Sequence, residues 1–502
     1  MSETKRDSTS SSASEPLPVA LAGFAYVALV LLAPRLLRDP DVYFHPVIGR
    51  WILAHGAVPT ADTFSYTMAG APWTAHEWLA EIVLAWVHRA GGWTLLVALT
   101  AATTALALYV LARDVARRVP ARYVVVLVVL ALMLVASHLN ARPHALAAPC
   151  LVVFLAELTA AREGNRNPNF ALLLLVVLWA NLHGSVLLAA IFALAFGLEA
   201  VVESRDASAR VGAARAWGVF LVLCLAAMCM TPLGTTTLTL AARMEADPQA
   251  LAWIDEWRPP DLRTFHPLQL WLVAFVAGGL ALGVRLPWMR FALLIGLAFF
   301  ALRRERYGEI LGLAAPLLVA PALRTALTAR AQAVPSQGVV ATPTNAARGR
   351  RTPRAVAWIV ATAVVATTLL VHRLGLARPA REITPDAALA AVRDARVTGH
   401  VLNAYGFGGY LMSHGVPTFV DGRIDLYGST FLGAYVAAVA GADRPTLERL
   451  LSEHAIAWTL LPPSAPAVRV LDDTRGWRRL HTDAVAVVHV REPLGGDPSA
   501  PP

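Results

Sequence analysis

Two carboxylates and an imidazole crowd the segment Asp39-Pro-Asp41-Val-Tyr-Phe-His45. Asp41 and His45 stand four apart, so on a helix they share one face. A carboxylate beside an imidazole suits a general base, or one half of a metal pair. Asp39 can equally be the cap of a helix over Phe44 to Ile52, because Asp favours that position. His76-Glu77 offers the same two groups again, or an ordinary helix start. Arg142 and His144 flank Pro143, with His138 and Asn140 just before them. Here Pro143 would open a helix, and Arg142 either binds an anion or reaches for lipid head groups. Asn181 and His183 interrupt a long apolar run at Gly184, where they can bond a neighbouring helix or a ligand. Arg303, Arg304, Arg306 and Tyr307 form the densest cationic cluster. Guanidinium forks match phosphate, and an interfacial anchor is the plainer alternative. Asp421-Gly-Arg423-Ile-Asp425 closes the set, as a docking surface or a substrate contact.

These groups need an unusual scaffold. The chain has 502 residues, of which 57% are hydrophobic and 15% charged, with mean hydropathy +0.54. Soluble domains carry about 25% charge. The composition therefore excludes a soluble enzyme and a disordered chain, and implies a polytopic membrane protein. Cys150, Cys224 and Cys229 all lie in apolar runs and build no disulfide framework. No Walker A, HExxH, GxSxG or CxxC pattern occurs, which removes an ATP-driven pump and a zinc protease. GFGGY at 406–410 follows an expected strand but lacks the spacing of a nucleotide-binding turn.

Apolar runs near 17–37, 93–112, 120–138, 143–161, 169–182, 184–203, 215–232, 267–284, 287–302, 307–323 and 354–374 predict eleven spans, with twelve or thirteen as neighbouring solutions. The first is an uncleaved anchor. The amphipathic stretch 76–90 reads as an interfacial helix within an outer loop over 38–90. Residues 1–16 and 494–502 are polar tails. Residues 324–353 form a basic linker.

Lys5 is the only lysine among 43 basic residues, and the net charge is +9. Residues 378–502 hold 12 basic and 13 acidic residues, so the surplus belongs to the membrane part. No basic face remains there for nucleic acid. With a cytoplasmic N-terminus, the arginines between 113 and 122, at 162 and 166, between 205 and 215, and in the basic linker all fall inside. The same orientation sends Asp41, His45, His76, Arg142, His144, His183 and Arg306 to the outer face. It also leaves residues 375–493 outside. In that segment PDAALAAVRDAR, STFLGAYVAAVAG and RPTLERLLSEHA read as helices. GHVLNAY, PTFVDGR, IAWTLLPP, WRRLHTD and AVAVVHVRE read as strands, giving a small α/β domain.

With these residues in view, the chain resembles the GT-C glycosyltransferase superfamily, which includes protein O-mannosyltransferases and the aminoarabinose transferase. The resemblance rests on residues 39–81, on ARPH (141–144), WANLHGS (179–185), IDEWRPPD (254–261) and RRERYGEILGLAAPLL (303–318), and on residues 401–428. It implies a mainly helical membrane bundle in the bacterial inner membrane. It also implies an enzyme that moves a hexosyl or pentosyl group from a polyprenyl-phosphate carrier to an acceptor outside the cytoplasm. By position, Asp39 and Asp41 match the family's acidic pair, as base or as ligands of a divalent metal ion. His45 would assist them. Arg304 and Arg306 would hold the donor phosphate. His76, Glu77, Arg142, His144, Asn181, His183, Tyr307, Asp421 and Arg423 would complete the substrate site. Membrane lipids are the other expected partners, and the acceptor is unspecified. The alternative reading is a lipid or polysaccharide transporter, or an envelope assembly factor. A path through the bilayer, in place of a dead-end pocket, would mark it.

Overall fold

The structure is a computed structural model that describes residues 16–239, 257–333 and 353–492. The N-terminal tail before residue 16, most of the basic linker, the tail after 493 and residues 254–256 of the IDEWRPPD motif lie outside the described residues.

All eleven expected apolar runs fall on helices. They are α1 (Pro16–Leu31) with the short α2 (Ala33–Leu36), the distal part of α4 (Trp78–Ala116), α5 (Ala121–His138), α6 (Pro143–Glu163), α7 (Leu172–Leu182), α8 (Leu187–Val202), α9 (Ala207–Met228), α10 (Pro267–Leu282), α11 (Trp288–Arg303), α12 (Tyr307–Ala333) and α13 (Pro353–Arg373). Among the described residues, seven helices are each long and apolar enough to cross a membrane alone. The runs at 17–37, 169–182, 267–284 and 287–302 appear as shorter apolar helices. Helices α6 and α12 are central, with 67% of their apolar windows buried. Helix α13 is peripheral, with 6%.

Two helices without their own span shape the site. Helix α3 (Asp41–His55) starts at the Asp-rich segment. It crosses α4 so closely that a Cβ on Gly49 would overlap the Glu81 carbonyl. The expected amphipathic helix is the first arm of α4. It breaks from the apolar arm at Gly91 and Gly92, where Gly92 takes φ +60.

After α13 come α14 (Asp386–Asp394), β1 (His400–Asn403), α15 (Gly408–Ser413), α16 (Ile424–Val439), α17 (Arg444–Glu453), β2 (Ile456–Leu461), α18 (Ala467–Asp472), β3 (Trp477–Thr482) and β4 (Val487–Arg491). The sheet order is β1-β2-β4-β3. β1 and β2 are parallel, and the other pairings are antiparallel. The stretch PTFVDGR is not a strand. A single bridge joins Thr418 to Ser65 of the loop after α3. The Asn403 side chain occupies the backbone instead, accepting from Phe419 N–H and donating to the Val420 carbonyl, both at 2.8 Å. That frees residues 421–423 to turn toward the bundle. The loop after α3 is clasped in return: Tyr66 OH donates to the Val401 carbonyl and Thr67 Oγ1 to the Phe419 carbonyl. The bundle and the sheet share one apolar core, in which Leu389, Val401 and Trp458 join residues of the long helices.

Candidate active site

Helix α3 delivers Asp41, Phe44 and His45 to the wall of a cavity of about 430 Å3. Asp39 sits just before the helix, where its Oδ1 accepts the Asp41 N–H at 2.9 Å. Its other oxygen accepts from Arg142 Nη1 at 3.1 Å. The second arm of the same guanidinium, Nη2, lies 2.7 Å from Asp41 Oδ2. Asp39 therefore holds both the first N–H of α3 and Arg142, although the N-cap position itself is Pro40. Pro143 opens α6 as its first residue, which leaves Arg142 extended and aimed across at α3.

The two aspartates are bridged by a guanidinium, which a divalent cation would have to displace. No group of three or more His, Cys, Asp or Glu among the described residues is arranged to hold a metal ion. The donor set does not fit a resident divalent metal, and the chemistry below uses none.

Beneath Asp41 lies a pair that sequence reasoning passed over. His45 Nδ1 is 3.3 Å from Glu81 Oε1, and each side chain is 3% exposed. His45 Nε2 and Glu81 Oε2 have no hydrogen-bond partner among the described residues, although both are buried and both residues line the cavity. Burial first, then the nearby Arg142 charge, pushes the His45 pKa well below its ordinary value, so the imidazole is neutral at pH 7. Glu81 was legible as the residue four beyond Glu77 on an amphipathic helix, and so on the same face.

Glu77 Oε1 lies 3.3 Å from His183 Nε2 and 3.8 Å from His76 Nε2. The Ser185 backbone N–H donates to His183 Nδ1 at 3.1 Å. Nδ1 is thus an acceptor nitrogen, which leaves Nε2 facing Glu77 as the donor. His76, Glu77 and His183 all line the cavity. Asn181 does not. Its side chain accepts from Trp78 Nε1 at 2.7 Å and donates to the Val177 and Met230 carbonyls, which makes it a helix tie. His144 stands behind the cavity in a small chamber shared with His138, His183 and Arg306, and its Nε2 is 3.7 Å from Glu309 Oε2.

The arginine cluster divides. Arg306 and Tyr307 line the cavity, and the Arg306 guanidinium lies 4.4 Å from the Trp257 ring centre. Arg304 donates to the Trp257 carbonyl at 2.8 Å and is not in the cavity wall. Trp257, another wall residue, carried no signal of its own in the sequence.

The roof comes from the C-terminal part. Arg423 donates to Asp421 through Nε (2.8 Å) and Nη2 (2.7 Å), and to Asp62 through Nη1 (2.5 Å). Tyr427 OH and Thr418 Oγ1 also donate to Asp421. Burial alone would raise the Asp421 pKa; Arg423 outweighs it and holds the carboxyl below its usual range. Arg423, held by Asp421, thus clamps the roof to the loop after α3 and also forms part of the cavity wall. Gly422 meets Asp41 directly. A Cβ there would overlap Asp41 Oδ1 and the Phe44 ring, so a larger residue would push the Asp41 carboxylate from its place. Asp425 accepts from Trp73 Nε1 at 3.2 Å, and both reach the cavity.

The far wall is apolar, built by Leu187, Leu188 and Ile191 of α8, Leu297 and Phe300 of α11 and Ile310 of α12. The cavity wall thus combines a carboxylate and cations with a hydrocarbon surface.

No protein-family model matches the chain, and no curated protein matches it by sequence. Solved structures do match in fold. The oligosaccharyltransferase of Archaeoglobus fulgidus tethered to an acceptor peptide superposes with TM-score 0.54 at 13% identity, covering 88% of this chain and 68% of that one. AglB from Archaeoglobus fulgidus, in complex with an inhibitory peptide and a dolichol-phosphate, gives 0.50 at 11% identity, with 89% and 69% covered. ArnT from Cupriavidus metallidurans in the apo state gives 0.50 at 18% identity, with 94% and 97% covered. The chain shares the fold of these structures, and is a multi-pass membrane protein.

Proposed function

We propose that the protein is a membrane glycosyltransferase that moves a sugar from a polyprenyl-phosphate carrier to an acceptor outside the cytoplasm. The observation that carries this reading is the Asp41–Arg142 pair in the wall of a cavity that is also lined by a set of apolar side chains. Such a cavity suits an amphiphile with a charged head and a hydrocarbon tail. The fold shared with a protein solved with dolichol-phosphate supports the same donor class.

In this reading the tail lies along Leu188, Ile191 and Leu297, and the phosphate sits between Arg142 and Arg306. Asp41 takes the proton of the acceptor hydroxyl. The hydroxyl oxygen attacks the anomeric carbon, and the bond to the phosphate oxygen breaks with its electron pair staying on phosphate. The two guanidinium groups offset that growing charge. Asp39 fixes Arg142. The Glu77–His183 and His45–Glu81 pairs line the sugar-binding part of the cavity, where imidazole and carboxyl groups can bond sugar hydroxyls. In this reading the membrane is the bacterial inner membrane, with the N-terminus cytoplasmic and the sheet domain outside, an orientation that the arginine distribution supports.

The test is mass spectrometry of surface glycans and glycoproteins from cells with and without the gene. A glycan lacking one sugar in the deletion strain is expected, restored by wild-type protein and not by Asp41→Asn. Identical glycans in both strains would contradict the reading.

A further inference from the structure

A second cavity, of about 680 Å3, lies on the other side of α3. Asp41, Phe44 and His45 face the first cavity, whereas Tyr43, Pro46 and Arg50 line the second. Tyr43 forms an aromatic floor: its ring meets Trp93 edge-on at 5.1 Å and Tyr410 at 5.4 Å. Its hydroxyl hydrogen-bonds Thr384 Oγ1 at 2.8 Å.

The rim is cationic. Arg50, Arg378 and Arg381 all line this cavity. None of the three guanidinium groups has a hydrogen bond or ion pair to any described residue, in contrast to the arginines of the first cavity. The one carboxylate in the wall, Asp386, accepts from Tyr410 OH at 2.6 Å. Three guanidinium groups against one engaged carboxylate leave a positive site with planar forks suited to phosphate oxygens.

Its position points to a lipid. Helix α13 is apolar and almost wholly unburied, so it faces hydrocarbon, and it ends at Arg373. Arg378 and Arg381 follow directly. Trp93 opens the apolar arm of α4, and His372 Nδ1 lies 3.4 Å from Thr94 Oγ1, which sets the ends of both helices at one level. Trp86, on the preceding amphipathic arm, is 70% exposed. Tryptophan and arginine at the ends of spans mark head-group depth.

We propose that this cavity binds the phosphate head group of an anionic membrane glycerophospholipid, separately from the donor cavity across α3. The acyl chains would leave along α13, and the phosphate would be held by Arg50, Arg378 and Arg381. This assignment stands whether or not the first cavity transfers sugar.

Native mass spectrometry of the full-length protein in detergent tests it, with phosphatidylglycerol, phosphatidylcholine and glycerol 3-phosphate as probes. Wild type is expected to prefer phosphatidylglycerol by about ten-fold or more, and the R50Q/R378Q/R381Q variant to lose that preference. Glycerol 3-phosphate should not displace the lipid at equal concentration. If the triple variant melts lower than wild type without lipid, R378Q at its exposed position carries the test, with about five-fold weaker binding expected. Equal binding of both lipids by wild type, or unchanged preference in the variants, would overturn the proposal. Displacement by glycerol 3-phosphate would overturn the lipid as the source of the phosphate.

Discussion

Arg142 Nη2 lies 2.7 Å from Asp41 Oδ2, while its Nη1 reaches Asp39 at 3.1 Å. One guanidinium thus orients two carboxylates, and the flat fork explains why an arginine stands there. A lysine ammonium has no such fork. Arg142→Lys is expected to keep the fold and lower sugar transfer by about two orders of magnitude, through misplaced Asp41 and weaker phosphate binding. Turnover by the purified variant at saturating donor checks this. Wild-type turnover would remove Arg142 from the site.

Gly422 provides a second, steric test. Its backbone closes over Asp41 and Phe44 with no room for a methyl group. Gly422→Ala should cost about 1–3 kcal/mol of stability by overpacking and reduce transfer by displacing the roof. Thermal unfolding and turnover are the measurements. A variant as stable and as active as wild type would mean that the roof does not close in this way.

The clamp between Asp62 and Arg423 joins the loop after α3 to the C-terminal part with both side chains essentially unexposed. Removing the Asp62 charge leaves Arg423 paired with Asp421 but weakens a buried charge-assisted tie between the two parts, at a cost of about 1–3 kcal/mol. Asp62→Asn should therefore expose the C-terminal part to limited proteolysis well before the helices. Asp421 adds a pH signature. Its folded pKa lies below the unfolded value of about 3.9, so its stabilisation is complete above that value. It disappears only as pH falls through the lowered folded value.

His45 titrates in the opposite sense from a paired histidine. Burial holds it neutral in the folded protein, while the unfolded chain takes up a proton below about pH 6.5. Its contribution is intact above pH 6.5 and declines on acidification, by at most about 1.4 kcal/mol per pH unit. Burial also raises the pKa of its partner Glu81, which acts in the opposite sense, so the test is a difference: from pH 7.5 to 5.5 the melting temperature of wild type should decline relative to that of His45→Asn. Parallel slopes would contradict a buried neutral His45.

The membrane scaffold was legible because apolar runs are long and repeat one simple signal. The break at Gly91–Gly92, the helix start at Pro143 and the strands at Ile456–Leu461 and Val487–Arg491 were legible for local reasons, namely glycine, proline and β-branched runs. The segment 417–423 was misread because its alternation suits a strand, yet Asn403 from a distant strand captures its backbone. Asp41, His45, His76, Glu77, Arg142, His183, Arg306 and Tyr307 do converge on one cavity. Asn181 does not, because its amide is spent on Trp78 and two carbonyls. Asp62 and Glu81 escaped notice for a different reason. A lone carboxylate in a loop or on an amphipathic helix reads as solvated until its partner, Arg423 or His45, is brought to it by the fold.

The central claim is that the Asp41–Arg142 cavity transfers sugar from a polyprenyl-phosphate donor. The most direct test incubates purified protein with a labelled polyprenyl-phosphate sugar and a membrane or cell-wall acceptor fraction, and follows release of polyprenyl phosphate. Wild type should consume the donor. Asp41→Asn, inserted and folded like wild type, should do so at least about a hundred-fold more slowly. Equal consumption by both proteins, or none by wild type across a panel of hexosyl and pentosyl donors, would contradict the account.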